Sequence, residues 1–125
     1  MTYDKNNIFA KILRKEIPCN KVYENEHALA FKDINPQAKV HVLVIPKGQY
    51  VDVDDFSKNA SKEEIASLMQ AVAEVCKITK VSLTEGGNGF RLIANTGPDG
   101  SQEVPHFHYH VMGGESMGLR GLRKP

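Results

Sequence analysis

Apolar residues recur at two different periods along this chain, and the two periods divide it into helices and strands. The first helical stretch places apolar side chains three and four residues apart and stops at a proline: Ile8, Phe9, Ile12, Leu13, then Pro18. The second follows an S-x-x-E capping box made by Ser61 and Glu64, and its apolar stripe comprises Ile65, Leu68, Met69, Val72, Val75 and Cys76. We therefore expect a short N-terminal helix and a long one from Ser61 to about Val81, whose stripe packs into a core.

Five further segments alternate or run apolar in the way that strands do. In chain order they are Val22–Glu24, Ala28–Lys32, Val40–Ile45, Phe90–Asn95 and Val104–Met112. The first two flank a turn and form a hairpin, and the third is a β-branched run that we expect to be buried on both faces. The element order α-β-β-β-α-β-β predicts the α+β class, with an antiparallel sheet of about five strands and two helices in one domain over residues 1–125.

Composition and charge are those of an ordinary globular protein. The chain has 125 residues, of which 41% are hydrophobic and 25% charged, with a formal net charge of +1. This balance lacks the polybasic footprint of a nucleic-acid or membrane-surface partner, and no stretch has the ~20 apolar residues of a membrane span. The N-terminus has no signal-peptide pattern, and two separated cysteines predict neither a disulfide framework nor a zinc site. We expect a cytoplasmic protein with no nucleic-acid and no membrane partner.

Three of the five histidines alternate with apolar residues near the C-terminus, at His106, His108 and His110. In an extended segment alternate side chains share one face, so all three imidazoles are predicted to project together. The residues between and after them, Phe107, Tyr109 and Val111, are then predicted to point into the core.

This histidine face is compatible with three functions. A metal ion needs each ligand nitrogen at about 2.0 Å, whereas the outer two histidines lie roughly 13 Å apart in a strand, so two of them with a distant third ligand is the feasible metal site. A neutral imidazole can instead attack phosphorus, and His108 is best placed because it has a proton carrier on either side. The third possibility is a set of exposed histidines without function.

A glycine-rich loop precedes the histidines and favours the second of these functions. It runs from Asn95 to Gln102 and contains Gly97 and Gly100. Glycines allow backbone N–H groups to converge on an anion, and Asn95 and Gln102 add neutral polar contacts. The combination predicts a phosphate site beside His108, with the His108 imidazole attacking phosphorus.

These segments together resemble a known family. The run from His106 to Met112, followed by Gly113-Gly114, matches the histidine triad (HIT) pattern, and it resembles the histidine triad nucleotide-binding (HINT) branch more than the fragile-histidine dinucleoside hydrolases. The segments Ile8–Ile12, Phe31–Ala38 and His41–Lys47 resemble the family's opening, its nucleoside-binding segment and the strand that bears an outlying histidine. The resemblance covers nearly the whole chain.

The resemblance implies both a fold and an activity. The fold is HIT-like, with the sheets of a homodimer joined into one continuous sheet. The activity is hydrolysis of the P–N bond in purine nucleoside 5′-phosphoramidates, aminoacyl-type adenylates included, through a covalent nucleotidyl-histidine. Purine mononucleotides are then the ligands, and the chemistry needs no metal and no cofactor.

The resemblance also implies residue roles. His108 matches the nucleophile, His110 the residue that touches the phosphate, and His106 and His41 the supporting relay. Asp33 matches the acceptor of the ribose hydroxyls. The base pocket is matched by Ile8, Phe9, Ile17, Phe31 and Ile34, and the phosphate loop by Asn95, Ser101 and Gln102.

Three departures from the family pattern limit this assignment. The stretch 115–125 lacks the tryptophan-proline ending of animal members, which leaves the preference for the leaving amine open. Glu103 stands where many members have serine, and a carboxylate repels a phosphate unless it is protonated or turned away. Its backbone N–H is therefore the group expected near the phosphate, and the role of its side chain stays open. Asn7 and Ala10 stand where some bacterial relatives have two zinc-binding cysteines, so that structural zinc site is absent.

Three other functions remain open from the sequence. The chain could be a nucleotide-binding or regulatory module with little turnover, a zinc hydrolase, or a dinucleoside polyphosphate hydrolase. The complete set of four histidines favours catalysis, because binding alone needs no free nucleophile.

Overall fold

The computed structural model describes residues 2–118, and its elements follow the predicted order with one addition. The helices are α1 (Ile8–Leu13), α2 (Val53–Asn59) and α3 (Lys62–Ile78). The strands are β1 (Lys21–Glu24), β2 (Ala28–Lys32), β3 (Val40–Pro46), β4 (Phe90–Ala94) and β5 (Tyr109–Gly113). The α+β class with a five-stranded antiparallel sheet is confirmed, but residues 2–118 form three α-helices instead of the predicted two. Among the described residues, no helix is long and apolar enough to cross a bilayer.

The additional helix α2 carries little apolar signal. It buries only Phe56, and it begins at the N-cap Asp52, whose side chain accepts a hydrogen bond from the N–H of Asp55. A seven-residue helix of this kind has too few apolar positions to show a period. The N-cap and the acidic first turn were the only signals of its presence.

All strand pairs in the sheet are antiparallel, in the order β1-β2-β3-β5-β4. Because directly paired residues share a face, the register of β3 with β5 places His41 beside Met112 and Leu43 beside His110. His41 and His110 are therefore diagonal neighbours on one face. Val42 and Val44 point to the other face, so β3 is buried on both sides, as predicted.

Helix α3 covers the valine face of the sheet and forms the larger core with it. Its capping box is present, with hydrogen bonds in both directions between Ser61 and Glu64. The predicted apolar stripe is wrong in part, because Ile65 and Met69 are 37% and 45% exposed. Both lie at the margin of the stripe. The buried members are Leu68, Ala71, Val72, Val75 and Cys76. Burial raises the pKa of the Cys76 thiol to about 11.

The last strand is shorter than the sequence predicted. It starts at Tyr109, and residues 104–108 lie outside the ladder. Pro105 has no N–H to donate, and the N–H of Phe107 donates to the carbonyl of Tyr50 at 2.7 Å instead of to a strand. The alternation nevertheless persists, since Phe107 and Val111 are buried in the core under α3 and Tyr109 packs against it.

Candidate functional site

Helix α1 packs on the opposite face of the sheet, the one that carries His41 and His110. Its buried residues join a second apolar cluster, which comprises Phe9, Ile12, Leu29, Phe31, Leu43 and Ile45. Phe9 also meets two histidines edge-on, with ring centroids 5.0 Å from His108 and 6.3 Å from His106. The four histidines therefore lie on this side of the sheet, and three of them are buried: His41, His106 and His108.

His106 has both ring nitrogens bonded inside the protein. Its Nε2–H donates to the main-chain carbonyl of Pro46 at 2.8 Å, and its Nδ1 accepts the hydroxyl hydrogen of Tyr3 at 2.6 Å. The side chain is fully buried. An imidazole held in this way has no lone pair or proton left for a substrate, so its contribution is to hold the neighbouring chain in place.

His108 keeps one ring nitrogen open. Its Nδ1–H donates to the main-chain carbonyl of His106 at 2.8 Å, which fixes the neutral tautomer whose Nε2 is a lone pair. Among the described residues, no hydrogen bond occupies this Nε2. A neutral imidazole with an unoccupied, unprotonated nitrogen is a nucleophile.

His41 and His110 form a directional chain of hydrogen bonds. The main-chain N–H of Gln37 donates to Nδ1 of His41 at 3.0 Å, so the ring proton of neutral His41 is on Nε2. That proton faces Nδ1 of His110 at 2.9 Å. His110 in turn carries its own ring proton on Nε2. The two neighbouring imidazoles of His108 and His110, with ring centroids 5.0 Å apart, thus offer a lone pair and an N–H donor.

Burial keeps all four histidines neutral at physiological pH. Desolvation lowers the pKa of His106 to about 4, and desolvation with the neighbouring imidazoles lowers the pKa of His110 to about 4. Desolvation also lowers the pKa values of His41 and His108, against the opposing effect of the Asp33 carboxylate. The tautomers deduced from the hydrogen bonds are therefore those of the resting site.

Asp33 joins the cluster from the loop after β2. Its Oδ2 lies 3.3 Å from Nε2 of His41, and its Oδ1 accepts the N–H of Asn35 at 2.8 Å. Each carboxylate oxygen has a second lone pair, so the group can still accept hydrogen bonds from a ligand.

Three of these residues have the donor set of a metal site. The ligand atoms of Asp33, His41 and His110 lie within 4.8 Å of one another. A neutral histidine that binds a metal through Nε2 carries its proton on Nδ1 and donates it onward. Nδ1 of His41 instead faces the N–H of Gln37, so a metal on Nε2 would set two N–H groups against each other. This arrangement favours a proton over a metal ion between the two histidines.

The glycine-rich loop is held together by the side chain that was expected to touch the phosphate. Both amide hydrogens of Gln102 donate to main-chain carbonyls, those of Val51 and Val104, and its Oε1 accepts the N–H of Gly97. Gly97 has φ +65°, and a Cβ on Gly100 would lie 2.5 Å from the carbonyl oxygen of Thr96. A side chain is thus excluded at Gly100 and the left-handed backbone favours glycine at Gly97, while Gln102 braces the loop.

The remaining predicted site residues have fewer contacts with the histidine cluster. Ile17 packs against the cluster formed by Phe9 and Phe31. Ile8 and Ile34 are 41% and 80% exposed. Three other predicted residues belong to the loop or directly follow it: Asn95, Ser101 and Glu103. In the described part of the chain, no hydrogen bond links their side chains to the histidines. The Glu103 carboxylate is nevertheless near enough to raise the pKa of His108, against the larger lowering by burial.

Sequence reasoning missed three groups that fix the imidazoles. They are the hydroxyl of Tyr3, the N–H of Gln37 and the carbonyl of Pro46. Two of the three are main-chain groups, and the identity of a residue does not show which partner its main chain will bond. Tyr3 lies 103 positions from its partner, and a lone tyrosine near a chain end carries no pattern.

Comparison with known proteins identifies the family of this chain. The HIT domain family model matches residues 14–117. An uncharacterized HIT-like protein of Azospirillum brasilense is 57% identical over 94% of this chain and 93% of its own length. The purine nucleoside phosphoramidase of Escherichia coli K12 is 41% identical over 91% and 92%. The solved structure of a HIT family hydrolase from Clostridium thermocellum superposes with a TM-score of 0.81 at 38% identity, over 92% of this chain and 96% of that one.

Proposed function

The chain belongs to the histidine triad (HIT) domain family of nucleotide-binding hydrolases, and from that premise we propose that it hydrolyses purine nucleoside 5′-phosphoramidates. The reaction passes through a nucleotide bound covalently to His108. The name of the E. coli relative, a purine nucleoside phosphoramidase, supports this substrate class.

The observation that carries the proposal is that two adjacent imidazoles present a lone pair, on His108, and an N–H donor, on His110. Nε2 of His108 carries a lone pair, because the ring proton is on Nδ1 and is donated to the carbonyl of His106. Nε2 of His110 is an N–H because Nδ1 accepts the proton of His41. A nucleophile next to a donor for the phosphoryl oxygen is what displacement at phosphorus requires.

The proton balance follows from the charge of the substrate. A bound phosphoryl anion favours the protonated form of His110, so the complex takes up one proton. His110 then carries an N–H on both ring nitrogens, and the Nε2–H of His41 bonds the Asp33 carboxylate, whose Oδ2 lies 3.3 Å away, in place of Nδ1 of His110. His108 Nε2 forms its bond to phosphorus as the P–N bond of the substrate breaks, and the departing amine takes that proton from His110. In the second step water attacks the phosphorus of the intermediate and gives a proton to His110, while His108 leaves. The nucleotide is released and the proton returns to solvent.

The nucleoside is held by groups around Asp33. Its carboxylate accepts the ribose hydroxyls with the lone pairs that His41 and Asn35 leave open. An exposed isoleucine is costly in water and becomes favourable under a purine ring, which accounts for Ile8 and Ile34 at the surface. Such an apolar pocket discriminates adenine from guanine weakly.

The test is release of AMP from adenosine 5′-phosphoramidate. Wild type should turn over, whereas His108→Ala should lose about 10⁴-fold or more in kcat. Intact-mass spectrometry after an acid quench should find one AMP on wild type and none on the variant. Equal release by both proteins would remove His108 from the mechanism. Tight AMP binding without turnover would identify a binding module, and faster cleavage of diadenosine polyphosphates would identify a dinucleoside polyphosphate hydrolase.

We also propose that the active form is a homodimer joined along β4. This strand lies at the edge of the sheet and pairs on one side with β5. Its sequence is mainly apolar, and Phe90 is 44% exposed. An apolar edge of this kind is covered in stable proteins, and a second copy would cover it by strand pairing. Sedimentation should give twice the mass of one chain, and Phe90→Asp should shift it to one chain. The control Leu83→Asp changes a residue that is 73% exposed outside the sheet. A single-chain mass for wild type would overturn the proposal.

A further inference from the structure

We propose that Tyr3 is a positioning residue of the active site, which sets the tautomer of His108 from a distance through His106. The proposal rests on the function proposed above, in which Nε2 of His108 attacks phosphorus. The hydroxyl of Tyr3 contacts Nδ1 of His106 at 2.6 Å, and the two rings meet edge-on with centroids 5.6 Å apart. The histidine triad is thereby connected to the segment that precedes α1.

That segment is built to hold Tyr3 in place. Asp4 forms a turn with the next residues, because its Oδ1 accepts the N–H of Asn6 and its carbonyl accepts both N–H groups of Asn7, one from the main chain and one from the side chain. Asn7 is buried and also caps α1 through the N–H of Ala10. The position of Tyr3 is therefore fixed to the same helix that brings Phe9 against His106 and His108.

The hydroxyl decides how His106 can bond. With Tyr3 donating to Nδ1, the ring proton is on Nε2 and points at the carbonyl of Pro46. Burial raises the pKa of Tyr3, so its hydroxyl remains a donor. Without that donor, Nδ1 is an unsatisfied acceptor in a fully buried ring. The ring then gains only by rotating toward another donor, and rotation breaks the bond to Pro46.

The effect reaches His108 through the main chain. His106 is clamped between Tyr3 and the end of β3, and the carbonyl of this clamped residue is the acceptor for Nδ1–H of His108. If the clamp is lost, the carbonyl is no longer fixed in direction, and His108 can adopt the tautomer with its proton on Nε2. That tautomer has no lone pair to present to phosphorus.

The decisive experiment measures the tautomer directly. Wild type and Tyr3→Phe are labelled with ¹⁵N-histidine, and the ring nitrogens of His108 are assigned by comparison with His108→Ala. Wild type should show Nδ1 protonated and Nε2 unprotonated, whereas Tyr3→Phe should show a mixture of the two forms. Tyr50→Phe is the matched control, because it removes a hydroxyl that bonds Glu64 away from the histidines. It should retain the wild-type pattern. Unchanged His108 signals in Tyr3→Phe would overturn the proposal.

Kinetics supply the second measurement. Tyr3→Phe should lower kcat for adenosine 5′-phosphoramidate by about tenfold, the effect of one unsatisfied buried acceptor, with KM changed less than twofold because the hydroxyl does not face the substrate. A rise in KM with kcat unchanged would contradict the assigned role. If wild type cleaves no phosphoramidate, the proposed function fails, while the NMR comparison still decides the role of Tyr3.

Discussion

The two faces of the central sheet are built on different principles. The face under α3 is closed by apolar side chains alone, such as Val44, Leu68 and Val111, all nearly inaccessible to solvent. The face under α1 combines an apolar cluster with imidazoles, and every buried polar residue in the described part of the chain lies on this side or at the N-cap of α1: Asn7, His41, His106 and His108. The first face stabilises the fold by burying apolar side chains. The second face also buries polar groups, and these must be hydrogen-bonded.

The difference separates stability from chemistry. Among residues 2–118, every side-chain nitrogen or oxygen that is itself inaccessible to solvent has a hydrogen-bond partner. On the α1 side those partners also set which nitrogen of each imidazole carries a proton, so the packing of that face determines reactivity. Changes under α3 are expected to affect the free energy of unfolding at all pH values, and changes under α1 to affect activity and pH dependence.

The largest expected effect belongs to the α3 face. Leu68→Ala leaves a cavity at a residue that is 1% exposed and should lower the free energy of unfolding by about 2–5 kcal/mol, measured by urea denaturation. The loss should be the same at pH 5.5 and pH 8. Met69→Ala, its 45% exposed neighbour, is the control and should change stability by about 0.5 kcal/mol or less. A strongly pH-dependent loss in Leu68→Ala would break the distinction between the faces.

The α1 face should make stability depend on pH. His106 and His110 have folded-state pKa values of about 4, below the value of 6.5 expected in the unfolded chain. Between these values the unfolded chain binds protons that the folded protein does not, so stability is full above pH 6.5 and falls as the pH drops toward 4. The slope is up to about 1.4 kcal/mol per pH unit for each histidine.

Two variants sharpen this pH test. His110→Asn should reduce the slope of unfolding free energy against pH, because one of the two groups is removed. His27→Gln removes an imidazole on the first hairpin, outside the cluster, and should leave the slope as in wild type. A flat profile for wild type between pH 7 and pH 4.5 would show that the buried imidazoles do not resist protonation.

The relay should have a smaller, kinetic effect. His41→Leu removes the N–H that fixes Nδ1 of His110 as an acceptor, so the proton on Nε2 of His110 is no longer enforced. We expect kcat for the phosphoramidate to fall about 10- to 100-fold. His27→Leu is the control for loss of a histidine elsewhere. Wild-type kcat in His41→Leu would exclude His41 from the proton path.

The smallest effect concerns the capping box of α3. Ser61→Ala removes the acceptor for the N–H of Glu64 and should cost about 1 kcal/mol of stability. Ser67→Ala, inside the same helix, should be neutral or slightly stabilising. Both variants should keep wild-type kcat, because α3 packs on the face away from the histidines. A change in kcat for Ser61→Ala would show that the two faces are coupled.

Much of this architecture could be predicted from the sequence, because local periods determine it. The alternation of histidines with Phe107, Tyr109 and Val111 correctly predicted which side chains enter the core, although the strand itself begins only at Tyr109. Any extended backbone has the same alternation, whether or not it joins a ladder. The prediction therefore survived the interruption at Pro105.

The rest could not be predicted, because it depends on contacts between distant segments. The sequence named His41 only by family resemblance, and the tautomers depend on atoms that no pattern reveals, such as the N–H of Gln37. Gln102 was expected to face a phosphate, yet its amide is occupied within the loop, so that contact stays a prediction. Ile65 and Met69 fit the helical period but remain partly exposed, because the period does not show how wide a face of the helix the rest of the protein covers.

The buried thiol of Cys76 has a practical consequence. Since it is 2% exposed and its pKa is raised to about 11, the folded protein shields it from thiol reagents, whereas Cys19 is half-buried and accessible sooner. The rate at which a thiol reagent modifies Cys19 therefore reports access of the reagent to the folded protein. The rate at which it modifies Cys76 reports how often α3 separates from the sheet. Opening of the native state can thus be followed without introducing a cysteine.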